Sequence, residues 1–509
     1  MVFGYRLQPV KLNHKRLGLL VLAIVLIVSS WLGITVARTG LEVRSFQKDG
    51  VPLLYLVPEA AEAVPGVLVA HGFAGSKQLM LSYGHVLAHA GYAVMLWDFD
   101  GHGANGTRLQ RYELQQNLDV ALQALLEQPQ VDPNRLALLG HSMGSGVVMA
   151  AGVQAADRFA ATVAVSPTGA GVTPQAPHNL QLQAGSGEAR FVANAEQLLA
   201  QAGGENANLA AGQGRELVVI PGVEHITILF SDSSHDAALR WLDASFGRTS
   251  ASQSGDLTSQ PYRDRRMAWY GLHLLGWLMG LTVFGSAVPT GIAPLLTQPQ
   301  TTTTKVAPIQ QWAGLIAAPL VATAGLVLLS QRFDLQGLGG VQVGGAIGVW
   351  FLIAGLTWLG VLARLPRFTL RALGLGIVLF GILWVAFGAM AQVVWLQWWL
   401  IPIRLQLWLP LAIACLPWFL ASGMVQQNIG VGKRLLWWLG QSVVLISGFV
   451  LTLSFLPQLG FMFLLLPLFP PLIGVLSLVA SLLNRAWVYA IGSTLFFGWL
   501  LAAGFPLSA

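Results

Sequence analysis

An α/β domain with a mostly parallel sheet flanked by helices, joined to an all-α transmembrane bundle, is the fold class this sequence predicts. Three observations carry that reading. Of 509 residues, 54% are hydrophobic and only 10% charged, against roughly 25% charged in an ordinary soluble domain. Uncharged runs long enough to cross a hydrocarbon core of roughly 30 Å stand near the start and recur beyond Arg266. Between them, residues 40–247 have the composition of a soluble domain, in which short apolar runs alternate with amphipathic stretches.

The basic start, with Lys11, His14, Lys15 and Arg16, precedes an uncharged run over residues 17–37. That run is longer than the core of a signal peptide, so it reads as an uncleaved anchor, although Thr35-Val36-Ala37 has the small residues of a cleavage site. Residues 1–39 thus form the cytoplasmic start and first spanning helix, and residues 40–247 form the α/β domain. Strands are expected over 40–46, 51–57, 65–71, 92–98, 135–141, 160–166, 179–184 and 215–221. Helices are expected near 77–90, 108–127, 143–155, 190–203 and 234–246. Residues 248–266, rich in Ser, Thr, Gln and Gly over their first half, read as a linker.

Residues 267–509 then offer about eight spanning candidates. These lie near 268–290, 311–330, 342–363, 370–394, 405–423, 435–456, 459–482 and 487–506, with kinks expected at Pro467, Pro470 and Pro471. If residue 1 is cytoplasmic, the loops with Arg364, Arg367 and Arg371, with Lys433 and Arg434, and with Arg485 all fall inside. The positive-inside rule asks for that arrangement, and it puts the α/β domain on the extracytoplasmic side. Only Arg263, Arg265 and Arg266 disagree, and long translocated domains cross largely regardless of charge.

The formal charge of +6 is scattered among apolar runs. It therefore reads as a set of topology determinants for a lipid bilayer and not as a nucleic-acid surface. The single cysteine, Cys415, excludes an intramolecular disulfide and makes thiolate-metal chemistry an unsuitable reading.

The chemistry concentrates in the middle domain. Residues 135–146 run from an apolar strand through Gly140-His141-Ser142-Met143-Gly144 into a helical pattern. A serine raised on a tight strand-to-helix turn needs small neighbours on both sides, which makes Ser142 the candidate nucleophile. Its hydroxyl becomes nucleophilic only beside a base, expected on a loop after a late strand; residues 216–225 end a strand at Pro221-Gly222 and supply His225. The imidazole needs an orienting acid at another strand end. Glu188, after Gly185-Ser186-Gly187, meets that need, and it also suits a helix N-terminus. Pro167 and Thr168 follow the preceding strand without a carboxylate.

Two backbone N–H groups should stabilise the oxyanion, from Met143 after the nucleophile and from Phe73 in the loop after the third strand. His71 reads as a buried organiser of that loop, and Trp97-Asp98-Phe99-Asp100-Gly101-His102-Gly103 as a shaper of the rim. Residues 167–178, with Gly169, Gly171, Pro174 and Pro177, are too few and too broken for a cap helix.

His71-Gly72-Phe73, Asp100-Gly101-His102-Gly103, Gly140-His141-Ser142-Met143-Gly144, Gly185-x-x-Glu188 and Gly222-x-x-His225 together resemble the α/β-hydrolase superfamily, most closely its dienelactone-hydrolase-like and esterase-like branches. The resemblance covers about 40–247. It implies an ester-type hydrolase with no metal or organic cofactor. Beside that, hydrolysis of an ester or thioester in or beside the membrane, through an acyl-enzyme on Ser142, is the leading expectation, with a lipid-like acyl substrate as the accompanying guess. The acid is Glu where Asp is commoner, and Asp100 stands where an Arg usually precedes Gly-His-Gly. An acyltransferase would use the same triad. A transporter or channel with a hydrolase-fold accessory domain is the reading from another class, and the shortage of ionisable residues inside the expected spans speaks against it.

Overall fold

The computed structural model describes residues 14–110, 112–248, 262–291 and 307–508, with side chains only to residue 283 in the third stretch. Most of the expected linker, residues 249–261, and the basic residue Lys11 lie outside the described residues. The chain divides into two compact units. One comprises Trp31–Tyr270 with Ala391–Trp399, and the other comprises Met1–Ser30, Gly271–Met390 and Leu400–Ser508.

The first unit is built on an eight-stranded sheet in the order β1-β2-β4-β3-β5-β6-β7-β8. The strands are β1 Leu41–Lys48, β2 Val51–Pro58, β3 Val64–Ala70, β4 Ala93–Trp97, β5 Val131–His141, β6 Ala161–Val165, β7 Leu180–Gly185 and β8 Arg215–Ile220. β1 and β2 are antiparallel to their neighbours, and every pairing from β4 to β8 is parallel. Strand alternation divides the apolar side chains between two faces. Val67, Val69, Val94, Leu96, Ala137 and Leu139 pack in one core, while Leu68, Ala70, Met95 and Leu138 pack in the other.

After the first spanning helix, α1 (His14–Val36), five helices cover these faces: α2 (Leu81–His89), α3 (Leu114–Leu126), α4 (Met143–Gln154), α5 (Ala189–Gln201) and α6 (Asp232–Ser245). α2 and α6 send Tyr83, Leu87, Leu239 and Leu242 into the first core, and α3 and α4 send Leu118, Leu122 and Val148 into the second. Ala391–Trp399 completes this unit. Gln397 accepts a buried hydrogen bond from Gln78 (2.7 Å), and Trp395 packs on the first core.

Register decides where the chemistry sits. Ala70 lies opposite Gly140, His141 opposite Val165, and Gly185 opposite Ile220. The carboxyl ends of β3, β5, β6, β7 and β8 therefore form one edge, the place where open α/β sheets present ligand sites.

In the second unit and α1 together, eight helices among the described residues are long and apolar enough to cross a membrane. They are His14–Val36, Pro308–Ser330, Gly344–Leu362, Leu370–Val394, Pro402–Val425, Val431–Phe455, Pro457–Leu483 and Ala486–Gly504. A further helix, α7, runs Arg266–Gly291. The expected proline distortion takes the form of a 3₁₀ helix over Pro457–Leu468, which passes into an α-helix at Phe469. The interior of this unit is aromatic: Trp350 stacks on Phe449 at 4.5 Å and Trp358 meets Trp418 at 5.1 Å. Among the described residues of this unit the deeply buried cation is Arg404, which donates to the Ala502 and Phe505 carbonyls (2.6 and 2.7 Å), so its charge is held by helix-end backbone.

Candidate active site

β5 passes directly into α4 through Ser142, whose φ of 52° and ψ of −120° lie outside the regions a residue with a side chain adopts freely. Such a conformation costs about 1–3 kcal/mol and persists only where its surroundings impose it. Those surroundings are visible. A Cβ on Gly140 would stand 2.4 Å from the Gly144 carbonyl oxygen, and one on Gly144 would stand 2.5 Å from the His71 carbonyl oxygen. Both positions must be glycine, since the obstacle is backbone. The Ser142 N–H donates to the Val165 carbonyl (2.9 Å), and the Ser142 carbonyl accepts from the Ser145 and Thr168 hydroxyls. Gly146 permits that last contact, because a Cβ there would meet Thr168 Oγ1 at 2.6 Å.

The loops after β7 and β8 are laced together. Gly187 N–H donates to the Val223 carbonyl at 2.9 Å, and a Cβ on Gly185 would collide with that same oxygen at 2.5 Å. This close approach places Glu188, just ahead of α5, against His225. Glu188 Oε2 accepts from His225 Nδ1 at 2.9 Å, and His225 Nε2 lies 3.1 Å from Ser142 Oγ. The other carboxylate oxygen, Oε1, accepts from the Ser166 hydroxyl (2.7 Å) and the Gly185 N–H (2.6 Å). Glu188 is 8% exposed and His225 is 5% exposed, so water does not compete for these bonds. Glu224, the neighbouring carboxylate, is spent on its own turn, where it accepts from the Ile226 and Thr227 N–H groups.

Three residues that sequence reasoning passed over complete the frame. Ser166 directly follows β6, with a φ of 46°, and braces Glu188 from the strand end that carries no acid. His141 Nε2 donates to the His225 carbonyl at 2.9 Å and so pins the backbone of the candidate base. Burial, reinforced by the neighbouring His225 ring, pushes the His141 imidazole well below its ordinary pKa and keeps it neutral. Phe191, from the first turn of α5, stacks on the His225 ring with centroids 4.3 Å apart. A strand-end serine and an aromatic early in a helix are visible in sequence, but their contacts span 22 and 34 positions and have no local signature.

Of the expected oxyanion donors, Met143 opens α4, where the first N–H groups lack partners within the helix. Phe73 lies in the loop after β3, which runs past Ser142 closely enough that a Cβ on Gly72 would be 3.1 Å from Ser142 Cβ. His71 organises that loop: Nδ1 donates to the Gly72 carbonyl, Nε2 accepts the Phe99 N–H, and burial pushes its pKa down to about 4. The acids near Gly101 do not shape a rim. Asp98 is fully buried in an ion pair with Lys77, and Asp100 accepts from the Asn105 and Asn117 side chains. Residues 167–178 form no helix and instead brace the elbow through Thr168. Among the described residues no group of three His, Cys, Asp or Glu side chains is arranged to hold a metal ion.

Residues 61–211 match the family described as serine aminopeptidase, S33. An uncharacterized Mycobacterium tuberculosis protein is 30% identical over 210 residues, which cover 38% of this chain and 74% of that protein. Among solved structures, a dienelactone hydrolase from Anabaena variabilis aligns over 41% of this chain and 98% of its own, at 18% identity and a TM-score of 0.32. A hormone-sensitive lipase from a metagenome library aligns over 46% and 99%, at 16% identity and a TM-score of 0.33. The chain belongs to the α/β-hydrolase superfamily and is a hydrolase, with a helical C-terminal region that contains several apolar helices.

Proposed function

We propose that this hydrolase is a membrane-bound serine hydrolase that cleaves an ester or thioester, with a lipid-like acyl compound as substrate, by way of an acyl-enzyme on Ser142. The observation that carries the reading is the hydrogen-bonded series Ser142 Oγ, His225 Nε2, His225 Nδ1 and Glu188 Oε2, at 3.1 and 2.9 Å. Glu188 accepts from Nδ1–H, which leaves the Nε2 lone pair for the Ser142 proton. Oγ then attacks the substrate carbonyl, and the Met143 and Phe73 N–H groups receive the oxyanion. The imidazolium returns its proton to the leaving oxygen or sulfur as the carbonyl re-forms. Water, deprotonated by His225, repeats the sequence on the acyl-enzyme and releases the acid. Ser166 and His141 touch no substrate in this scheme; they fix the acid and the backbone of the base.

The reading is tested by turnover of short p-nitrophenyl esters with the full chain. A burst of nitrophenol equal to the enzyme concentration supports the acyl-enzyme, and Ser142→Ala is expected to abolish both burst and turnover. Eight apolar helices support insertion in a bilayer, and the basic loops with Arg364, Lys433 and Arg485 favour an extracytoplasmic hydrolase unit. A cysteine at the fully exposed Tyr112 position, in a Cys415→Ser background, should then react with a membrane-impermeant thiol reagent in intact cells. Reaction only after lysis would place the unit on the cytoplasmic side.

A further inference from the structure

The end of β6 carries no acid, and the loop that leaves it has two other contacts with the site. Ser166 donates to the Glu188 carboxylate, and two positions later the Thr168 hydroxyl donates to the Ser142 carbonyl at 3.2 Å. The second contact is fixed from both sides. The Thr168 N–H donates to Ser145 Oγ at 3.0 Å, and the fully buried Ser145 hydroxyl donates in turn to the same Ser142 carbonyl at 2.5 Å. Asn194, from α5, holds the carbonyl of Pro167, the residue before Thr168, at 2.7 Å.

The carbonyl that receives these hydroxyls shares its peptide with the Met143 N–H, the expected oxyanion donor. A trans peptide is planar, so its C=O and N–H point in opposite directions, and whatever fixes the oxygen also aims the N–H. Four donors converge on the Ser142 oxygen: the N–H groups of Ser145 (2.9 Å) and Gly146 (3.4 Å) and the two hydroxyls. Three of them come from the first turn of α4 itself. Thr168 alone among the four reaches the elbow from another strand end, and it ties this peptide to the sheet. Hydrogen bonds at the oxygen also polarise the amide, which strengthens its N–H as a donor. The other expected donor, Phe73 N–H, is backed in the same way, since the Gly72 carbonyl of its peptide accepts from His71 Nδ1 at 2.8 Å.

We propose that Thr168 and Ser145 are positioning residues of the oxyanion hole, whose hydroxyls hold and polarise the Ser142–Met143 peptide so that the Met143 N–H meets the charge developed on the substrate oxygen. The proposal rests on the acyl-enzyme reading at Ser142. Neither hydroxyl touches substrate. A role confined to stabilising the turn would leave the chemistry unchanged in a folded variant, whereas a positioning role weakens only states in which the substrate oxygen carries charge. Removal of an oxyanion donor outright costs ~10²–10³ in kcat. Loss of one neutral hydrogen bond behind such a donor should cost roughly five-fold.

The test uses the full chain and two ligands besides the ester. A trifluoromethyl ketone takes Ser142 Oγ at its carbonyl carbon, with the Ser142 proton passing to His225, and leaves an oxyanion in the hole; the corresponding secondary alcohol has the same chain and forms no adduct. Thr168→Val exchanges the hydroxyl for a methyl group of similar size and leaves the Ser142 oxygen its three donors from α4, so it should fold as wild type. It is expected to lower kcat for p-nitrophenyl esters roughly five-fold. KM should not move, because acylation and deacylation both pass through an oxyanion and slow together. The ketone should bind more weakly by the same factor, with the alcohol unaffected. Ser145→Ala/Thr168→Val should lower kcat and ketone affinity roughly thirty-fold, and Thr168→Ser, which keeps the hydroxyl, should recover most of both.

Wild-type kcat and ketone affinity in Thr168→Val, equal weakening of ketone and alcohol, or no recovery in Thr168→Ser would each overturn the proposal, while a stoichiometric burst of nitrophenol still upheld the reading at Ser142. A wild type with neither burst nor ketone adduct would overturn that reading, and the proposal with it.

Discussion

Replacing Glu188 with Gln tests how the acid works, because the structure dictates which way the amide must face. Glu188 Oε1 accepts two hydrogen bonds, from the Ser166 hydroxyl and the Gly185 N–H. The Ser166 hydroxyl can turn to accept, but the Gly185 N–H cannot. An NH₂ group on that side would oppose a buried donor at a cost of about 1–3 kcal/mol. The amide oxygen therefore stays there, and the NH₂ takes the Oε2 position, 2.9 Å from His225 Nδ1.

His225 must then present the Nδ1 lone pair to that donor and carry its proton on Nε2, facing Ser142 Oγ. A base in that tautomer cannot accept the serine proton. The equivalent loss in a serine-protease triad is ~10⁴-fold in kcat, so Glu188→Gln is expected to lower kcat by ~10³–10⁴, about 4–5.5 kcal/mol of transition-state stabilisation. KM should change little, because the amide touches no substrate. The assay is steady-state ester hydrolysis over a range of substrate concentrations. A kcat within ten-fold of wild type, or a loss confined to KM, would refute this use of the acid.

Other outcomes follow from neighbouring contacts. Ser166→Ala removes one hydrogen bond to the buried carboxylate and should lower kcat by roughly ten-fold with KM unchanged, while Ser166→Thr, which keeps the hydroxyl, should restore most of it. Phe191→Ala, which unstacks the His225 ring, should cost about 0.5–1.5 kcal/mol in kcat/KM, read in the same assay. Gly144→Ala should fail to yield a folded hydrolase unit, since its Cβ would stand 2.5 Å from backbone; limited proteolysis in membranes would show it.

Stability of the unit should also fall on acidification, because His71 is buried with a pKa near 4. Between its ordinary value and about 4 the unfolded chain binds the extra proton. The stabilisation, about 3 kcal/mol from this group, is complete above about pH 6.5 and lost as the pH falls toward 4. Thermal melts of wild type and of His71→Gln across that window should differ in slope.

The sheet was legible because each strand is a short apolar run closed by Gly, Pro or a polar turn, and all eight expected strands form. Two boundaries moved for physical reasons. β5 begins at Val131, not at 135, because Val131 and Asp132 pair with Val64 and Pro65 across an irregularity at Pro65/Gly66. α3 begins at Leu114, not at 108. Leu114, Leu118, Ala121, Leu122 and Leu125 share its buried face, whereas the buried Leu109 falls out of that phase and is reached by non-helical chain. The arrangement of Ser142, Glu188 and His225 was legible because small residues mark each strand end. Ser166, His141 and Phe191 were not, since a bracing residue is defined by a contact that only the folded register creates.

The most direct test of the central claim is to label the full chain in native membranes with a fluorophosphonate and identify the modified peptide by mass spectrometry. The adduct is expected on Ser142 alone, at one per chain. It should be absent in Ser142→Ala and much slower to form in Glu188→Gln, with both variants still membrane-bound. Undiminished labelling of Ser142→Ala, or an adduct on a different residue of the wild type, would contradict the account.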